Sequence, residues 1–198
     1  MRMNLATWLL ASLLAGAAWP AHAQLRTWDF SYTGFFATHS FTHSFEEDTY
    51  TEGFEPDRQI TGSFSGEDRD RDGILELGEL TGFSVMGRDY FDCIENPSPY
   101  GSCSISSFSY APGGELDFSA GWSGADEFFS GWAGSVTSGA RARDYSYGNF
   151  HESSSYFYWT EQTRFDIVQL PVPEPASGVM AVAGLVLLAG LRKRHTRH

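Results

Sequence analysis

One twelve-residue segment, residues 68–79, carries acidic side chains at the spacing of a cation-binding loop. Asp at loop positions 1, 3 and 5 can turn three carboxylates onto one centre, Gly at position 6 permits a sharp turn, and Glu at position 12 closes the site with two oxygens. Position 7 supplies a backbone carbonyl, and position 9 supplies a carboxylate directly or through water. The predicted ligands are Asp68, Asp70, Asp72, Ile74, Glu76 and Glu79. So many hard oxygen ligands favour Ca²⁺ over Mg²⁺, which needs a tighter octahedron, and Ca²⁺ is therefore the predicted cofactor.

This segment resembles the EF-hand calcium loop, and Leu75 stands at the position that packs beneath such a loop. Its flanks differ from that family. Residues 60–66 read as a strand, and the two glycines of 77–82 leave room for at most one helical turn. The helix pair of calcium sensors is therefore not expected, and a structural calcium staple is predicted. The alternative is a solvated acidic turn, compensated only by Arg69 and Arg71.

Patterns that would indicate catalysis are missing from the sequence. No serine lies in G-x-S-x-G, and His151-Glu152 lacks the second histidine of H-E-x-x-H. His39 and His43 can share a strand face, but two histidines without a third ligand make a weak zinc site. The sequence therefore predicts no enzyme and no catalytic residue.

The charge of the central region limits its partners. Residues 24–171 contain eight Arg, no Lys and 24 Asp or Glu, which gives a formal charge of −16. Nucleic acid and anionic lipid need clustered cations, so both are excluded as partners, whereas cations suit this region. An aromatic content of 16% argues against disorder.

The first 23 residues have the organisation of a secretory signal peptide. Arg2 precedes a short apolar run, residues 5–18, and Ala21-His22-Ala23 is an A-x-A cleavage site. Signal peptidase is therefore expected to cut between Ala23 and Gln24. A permanent membrane helix would need a longer apolar run.

The last 27 residues combine three elements in a fixed order. Pro173-Glu174-Pro175 is followed by an uncharged apolar run, residues 176–191, and then by a basic cluster, residues 192–198. Sixteen helical residues span ~24 Å, which is short of a ~30 Å hydrocarbon core, so this predicted transmembrane helix is a marginal anchor. The basic cluster stays cytoplasmic, which places the acidic region on the far side of the membrane.

These three elements, over residues 172–198, resemble the PEP-CTERM sorting tail, also called the ice-binding protein C-terminal domain. The resemblance implies a Gram-negative host that makes exopolysaccharide, and processing by exosortase, a membrane cysteine protease. It further implies export across the inner membrane, attachment through the C-terminal helix before processing, and a cell-surface or extracellular location afterwards. A plain C-terminal anchor is the alternative. The sequence contains no Thr-x-Thr ladder, so it gives no support to ice binding itself.

Residues 24–171 are predicted to form one all-β domain, either an antiparallel sandwich or a jelly-roll-like barrel. Aromatic and polar residues alternate with period two in residues 28–33, 41–45 and 116–122, and further strands are expected at 156–159 and 165–168. Turns are predicted at Glu55-Pro56-Asp57, at 97–101 and at 112–114, because each of these segments contains Pro, or Pro together with Gly.

Cys93 and Cys103 are the only cysteines. Between them lies Asn-Pro-Ser-Pro-Tyr-Gly, which has turn-forming chemistry, and the spacing resembles that of a hairpin. In an exported chain such a pair predicts a disulfide. A redox pair would need C-x-x-C.

Two roles remain for the β domain. The first is a structural or adhesive component of an exopolysaccharide matrix or biofilm. The second is a lectin-like carbohydrate-binding module that stacks sugars on Trp122, Trp132, Trp159 or tyrosines. Two or more coplanar aromatic rings on one open face would favour the lectin, whereas burial of all these aromatics would exclude it.

Overall fold

In the computed structural model, which describes residues 25–171, most residues lie in antiparallel strands. The elements are β1 Arg26–His43, β2 Thr49–Gly66, β3 Leu75–Glu76, a 3-10 turn Leu77–Glu79, β4 Leu80–Val85, β5 Arg88–Asp89, α1 Tyr90–Glu95, β6 Gly101–Tyr110, β7 Leu116–Ala125, β8 Gly131–Thr137, β9 Arg141–Tyr147, β10 His151–Tyr158 and β11 Arg164–Gln169. The signal peptide with its cleavage site, and the sorting tail with its apolar helix, lie outside the described residues. Within 25–171 no helix is long and apolar enough to span a bilayer.

All eleven strands belong to one curled sheet. The order is β3-β6-β7-β8-β9-β10-β1-β2-β4-β5, and β11 pairs with β1 beside β10. The curl brings distant strands face to face: the rings of Phe30 on β1 and Phe118 on β7 are 5.6 Å apart, and those of Phe83 on β4 and Phe108 on β6 are 5.7 Å apart. The all-β prediction is confirmed, and the two facing layers come from a single sheet.

Strand β1 pairs with three other strands, and a bulge divides it into two parts. Its lower part, residues 28–33, pairs with β11, and its upper part, residues 36–43, pairs with β10. We call the end of the sheet at Arg26 the lower end and the end at His43 the upper end. Gly34 separates the two parts with φ of 88°, a left-handed conformation that suits glycine, and the register with β2 shifts there.

The predicted turn at Glu55-Pro56-Asp57 is wrong, because these residues lie inside β2. Pro56 has no N–H to donate to a ladder, so a strand must accommodate it at a bulge or an edge. The register shift opposite Gly34 provides that bulge. Of the other two predicted turns, 112–114 lies between β6 and β7, and 97–101 lies between α1 and β6 except for Gly101, which begins β6.

The core fills the lower part of the curl with aromatic side chains. Alternation along β1 points Trp28, Phe30 and Tyr32 inward, where all three are buried. They meet inward residues of β2, β4, β6 and β7, among them Phe64, Phe83, Phe108, Tyr110 and Phe118. Edge-to-face and stacked contacts between these rings add to the stabilisation that comes from burying their area.

The two edges of the curled sheet face each other across a seam. Helix α1 packs between β4 and β6, with Tyr90 fully buried. The predicted disulfide is confirmed: Cys93 and Cys103 are bonded, with Cα atoms 5.9 Å apart. Cys93 lies on α1, so the bridge joins a helix to a strand, and the hairpin-like spacing was misleading. The side chain of Asp89 starts this helix by accepting from the Asp92 N–H at 3.0 Å.

Candidate metal centre

The acidic loop lies at the lower end and connects the two edges of the seam. Strand β2 ends at Gly66, and the chain then crosses to pair Leu75 with Tyr110 of β6. It returns to pair Leu80 with Gly66, and the Glu67 N–H donates to the Glu79 carbonyl at 3.2 Å. The loop is therefore the covalent bridge across the lower seam.

Three of the predicted ligands come together. Carboxylate oxygens of Asp68, Asp70 and Glu79 all lie within 4.8 Å of one another. Asp70 is exposed, whereas Asp68 and Glu79 are partly buried. Three carboxylates at this spacing can hold a cation. Because carboxylate oxygens are hard ligands, this group suits a divalent ion that prefers oxygen.

Glu79 ties the end of the loop to its beginning. Its Oε1 accepts from the backbone N–H of Arg69 at 2.6 Å and of Asp70 at 3.4 Å, while Oε2 accepts from the Glu76 N–H at 3.3 Å. The carboxylate is thus fixed at the point where the predicted bidentate ligand must lie. The same residue position closes the loop in both the sequence pattern and the structure.

Asp68 organises the turn in the first half of the loop. Its Oδ1 accepts from Arg71 at 2.6 Å and its Oδ2 accepts from Gly73 at 3.1 Å. Arg71 and Gly73 both have positive φ, 66° and 86°, which bends the backbone around the aspartate. Gly73 fulfils the role predicted for the glycine at position 6.

The remaining predicted ligands are outside this three-carboxylate group. The Asp72 side chain instead accepts from the Ile74 N–H at 2.7 Å, and Glu76 is exposed at the start of the 3-10 turn. Their participation, and that of the Ile74 carbonyl, stays a prediction for the ion-bound loop.

Leu75 anchors the loop to the core, as the sequence predicted. It is 4% exposed and packs on Gly66, where an added Cβ would lie 2.7 Å from a Leu75 methyl group. The flanks also follow the prediction: a strand precedes the loop, and a single 3-10 turn followed by β4 comes after it. Because no helix pair flanks the loop, a sensor-type opening has no structural basis here.

Comparison with other proteins gives no further guidance, because no family model, curated protein or solved structure matches this chain.

The tryptophans proposed as sugar platforms lie on the inner face of the sheet or against the core. Trp159 packs on Phe35 at 4.7 Å between ring centroids, and Trp122 lies against the core under the guanidinium of Arg88. Trp132 is on the inner face and is 36% exposed. None of these three tryptophans therefore presents its ring on the open outer face of the sheet, where a sugar could stack.

Tyrosines occupy the outer face instead, on two neighbouring strands. Phe157 is buried, so alternation turns Tyr156 and Tyr158 of β10 outward, and register places the Tyr-x-Tyr of β9 on the same face. The planes of Tyr156 and Tyr158 lie at 14°, with centroids 6.2 Å apart, and those of Tyr145 and Tyr147 are 5.9 Å apart. We call these four residues the tyrosine platform. The repeated Tyr-x-Tyr spacing is the sequence signal that identifies it.

Proposed function

We propose that this chain is an exported, exosortase-sorted protein of the cell surface or extracellular matrix, with a structural or adhesive role and a calcium loop that holds its sheet closed. One observation carries the calcium part of the proposal. The cluster of Asp68, Asp70 and Glu79 lies on the segment that joins both edges of the curled sheet. A cation there would order a loop whose two ends lie on the β2–β4 edge and whose middle, at Leu75, pairs with β6 on the opposite edge.

The stabilisation follows from the geometry of the loop. Without a cation, three mutually close carboxylates repel one another, and the backbone N–H groups that they accept offset part of that repulsion. A bound cation would neutralise the repulsion and order residues 68–79. Because β3 lies within the loop and β4 follows it directly, ordering the loop would favour the pairing of β3 with β6 and of β4 with β2.

The position of the chain ends suits a tethered surface protein. The Leu170 N–H donates to the Thr27 carbonyl at 2.8 Å, so the chain leaves the domain at the lower end, beside the loop. The tail resembling PEP-CTERM follows directly. At the upper end, three hairpin tips carry exposed phenylalanines, namely Phe45, Phe128, Phe129 and Phe150. An end that projects away from its anchor and carries apolar tips supports an adhesive role.

A thermal melt of the mature protein in calcium, in magnesium and in chelator tests the calcium loop. A lone loop is expected to bind with Kd of about 10⁻⁴–10⁻³ M. At ten times Kd, calcium should raise the free energy of unfolding by about 1.4 kcal/mol, and magnesium by less. Glu79→Gln should remove most of the gain, whereas Glu161→Gln, at an exposed site outside the loop, should keep it. Equal melting temperatures in all three solutions would refute calcium binding.

Intact-mass measurement of the surface form tests the sorting part separately. The expected mass begins at Gln24 and ends near Pro173-Glu174-Pro175. A surface form that retains residues 192–198 would contradict processing by exosortase.

The tyrosine platform favours a second function, carbohydrate binding. Tyr147 and Tyr158 are 39% and 36% exposed, and the guanidinium of Arg143 lies 4.8 Å from the centroid of Tyr145 and 5.5 Å from that of Tyr156. The buried Nε of Arg143 has no hydrogen-bond partner. Flat aromatic faces beside a guanidinium suit a sugar ring and its hydroxyls. Neutral sugars are the expected class, because the domain's charge repels polyanions.

Affinity electrophoresis in gels that contain neutral polysaccharides tests this second function. Binding should retard the wild type, and Tyr158→Ala should abolish most of the retardation. Tyr100→Ala is the control, because Tyr100 is also exposed but lies away from the platform, where its hydroxyl donates a hydrogen bond to Glu127. Equal mobility of wild type and Tyr158→Ala in every polysaccharide would contradict the lectin.

A further inference from the structure

A serine, a histidine and a glutamate from three different strands form one hydrogen-bonded chain on the inner face of the sheet. The distance from Nδ1 of His39 to Oγ of Ser155 is 2.8 Å, and that from Nε2 of His39 to Oε1 of Glu55 is also 2.8 Å. The contact between His39 and Glu55 is a hydrogen bond to a neutral imidazole and would become an ion pair only on protonation of the ring. None of these residues belongs to the metal loop or to the tyrosine platform.

Strand register explains how they meet. His39 on β1 lies directly opposite Ser155 on β10, and both point inward, as do their neighbours Ala37 and Phe157. Glu55 comes from β2 at the bulge opposite Gly34. The three positions are 16 and 116 residues apart along the chain, so no local sequence motif could have revealed them.

The chain of hydrogen bonds fixes the tautomer of the imidazole. An ionised carboxylate can only accept, so Nε2 must carry the proton that it donates to Glu55. Nδ1 is then an acceptor, and the Ser155 hydroxyl donates to it. This is the arrangement of an activated serine: a hydroxyl aimed at a basic nitrogen, whose ring is oriented by an acid.

The surroundings combine a closed floor with an open top. The buried ring of Phe157 lies 5.6 Å from the His39 ring and shields it from below. The guanidinium of Arg58 lies 4.3 Å from the centroid of the same Phe157 ring, which places a positive charge beside the chain of hydrogen bonds. The side chains of His39 and Glu55 remain 36% and 39% exposed, so a solute can reach them.

We propose that Ser155 is an acyl-accepting nucleophile, with His39 as its general base and Glu55 as the residue that positions His39. The substrate class is an ester of a short acyl group, because more than a third of the His39 and Glu55 side chains is exposed while the buried Phe157 ring lies against one side of the imidazole. This activity goes beyond the structural role proposed above and does not depend on calcium, sorting or sugar binding.

The reaction balances with an ester and water as the reactants. Ser155 Oγ attacks the ester carbonyl while its proton passes to Nδ1 of His39. The bond from the carbonyl carbon to the alcohol oxygen then breaks, and the alcohol leaves with the proton from Nδ1. Water attacks the acyl-serine in the second half-reaction, gives one proton to Nδ1, and releases the carboxylic acid as the Ser155 hydroxyl re-forms. We assign stabilisation of the oxyanion to Arg58, whose guanidinium lies over the ring of Phe157, two residues after Ser155.

Two probes on the mature protein test the proposal, namely hydrolysis of p-nitrophenyl acetate and labelling by an alkyl fluorophosphonate. The second probe forms an O–P bond at serine and expels fluoride, so peptide mass spectrometry identifies the modified residue. Labelling is expected at Ser155 alone. Ser155→Ala should abolish labelling, and both Ser155→Ala and His39→Gln should lower the hydrolysis rate at least ~10²-fold, the usual contribution of a general base.

The neighbouring serine provides a matched control. Ser154 points to the outer face and bonds to Ser40 at 2.8 Å, so Ser154→Ala should leave labelling and hydrolysis unchanged. Glu55→Gln should lower the maximal labelling rate while leaving the half-saturating probe concentration unchanged, since Glu55 orients the base and does not touch the probe. Absence of labelling in folded wild type, labelling elsewhere than Ser155, or equal rates for wild type and Ser155→Ala would each overturn the proposal.

Discussion

The two parts of β1 belong to one strand, yet they face very different interiors. Below Gly34 the inward residues are Trp28, Phe30 and Tyr32, all buried against the opposite layer of the curl. Toward the upper end the inward residues are His39, Phe41 and His43, which are only partly covered. The lower part has a facing layer that removes aromatic rings from water. Phe35 and Ala37, just above Gly34, are still buried, but from His39 upward there is no such layer, so polar side chains there can hydrogen-bond to each other and to solvent.

This difference shows where the molecule stores stability and where it can support chemistry. In the lower part, the buried aromatic rings contact other aromatic rings. The acidic loop and α1 lie across the seam beside them. The hydroxyl of Tyr32 donates to the Leu116 carbonyl at 3.1 Å, and burial together with Asp117 raises the pKa of this phenol. In the upper part, imidazole, hydroxyl and carboxylate groups remain accessible. Binding and reactive groups are therefore expected above the bulge, and structural ties below it.

The largest predicted effect comes from truncating a lower core ring. Phe118 is fully buried and touches Phe30 and Phe83, so Phe118→Ala should lower the free energy of unfolding by about 3–5 kcal/mol. The same change in the upper part, Phe41→Ala, should cost under ~1 kcal/mol because Phe41 is 38% exposed. Urea denaturation measures both. Similar losses for the two variants would contradict a division of the fold at Gly34.

The second prediction concerns the bridge between α1 and β6. Replacing both Cys93 and Cys103 by Ser should lower the free energy of unfolding by about 3 kcal/mol, the entropy of closing a loop of about 11 residues in the unfolded chain. Reduced wild type should match the double variant in the same urea titration. A loss below ~1 kcal/mol would show that α1 is held to β6 by packing of Tyr90 alone.

Much of the lower part could be predicted from the sequence, and much of the upper part could not. Alternation identified the inward residues of β1 and β7, and spacing identified an acidic loop in which Asp68, Asp70 and Glu79 come together and could hold a metal ion. These signals are local, because each is contained in a segment of at most twelve residues. The chain of Ser155, His39 and Glu55 and the pairing of α1 with β6 depend on long-range register, which no local pattern encodes.

Pro56 shows how a local signal can also mislead. Proline normally indicates a turn, but a strand can keep it where a partner strand bulges. The partner here is Gly34, 22 positions earlier in the sequence, so the meaning of the proline depended on a residue outside its window. The hairpin expected between the two cysteines failed for a similar reason, because burial of Tyr90 in the seam favours a helix at that point.

The third prediction tests the bulge itself. Gly34 has a φ of 88°, and an added Cβ would lie 3.2 Å from Cζ of Phe54, so Gly34→Ala should cost about 1–2 kcal/mol. Gly53 lies on β2 nearby, with nothing within 4 Å of an added Cβ, and Gly53→Ala should change stability by less than ~0.5 kcal/mol. Equal thermal melts for the two variants would mean that the left-handed backbone at Gly34 is not needed.

The smallest predicted effect lies at an upper hairpin tip, where Asp126 holds the turn that exposes Phe128 and Phe129. Its carboxylate accepts from the backbone N–H and the hydroxyl of Ser130 and from the Phe128 N–H, and these hydrogen bonds lower its pKa below the usual value. Because the folded pKa is lower than the unfolded one, this contribution is fully present above the unfolded pKa of about 3.9 and is lost as pH falls through the folded value. Asp126→Asn should therefore be slightly less stable than wild type at pH 6, and the gap should narrow as the pH drops below about 4. Urea titrations of both proteins at pH 6 and below about pH 4 measure the difference in stability. A difference independent of pH would mean that the turn does not depend on the charge of Asp126.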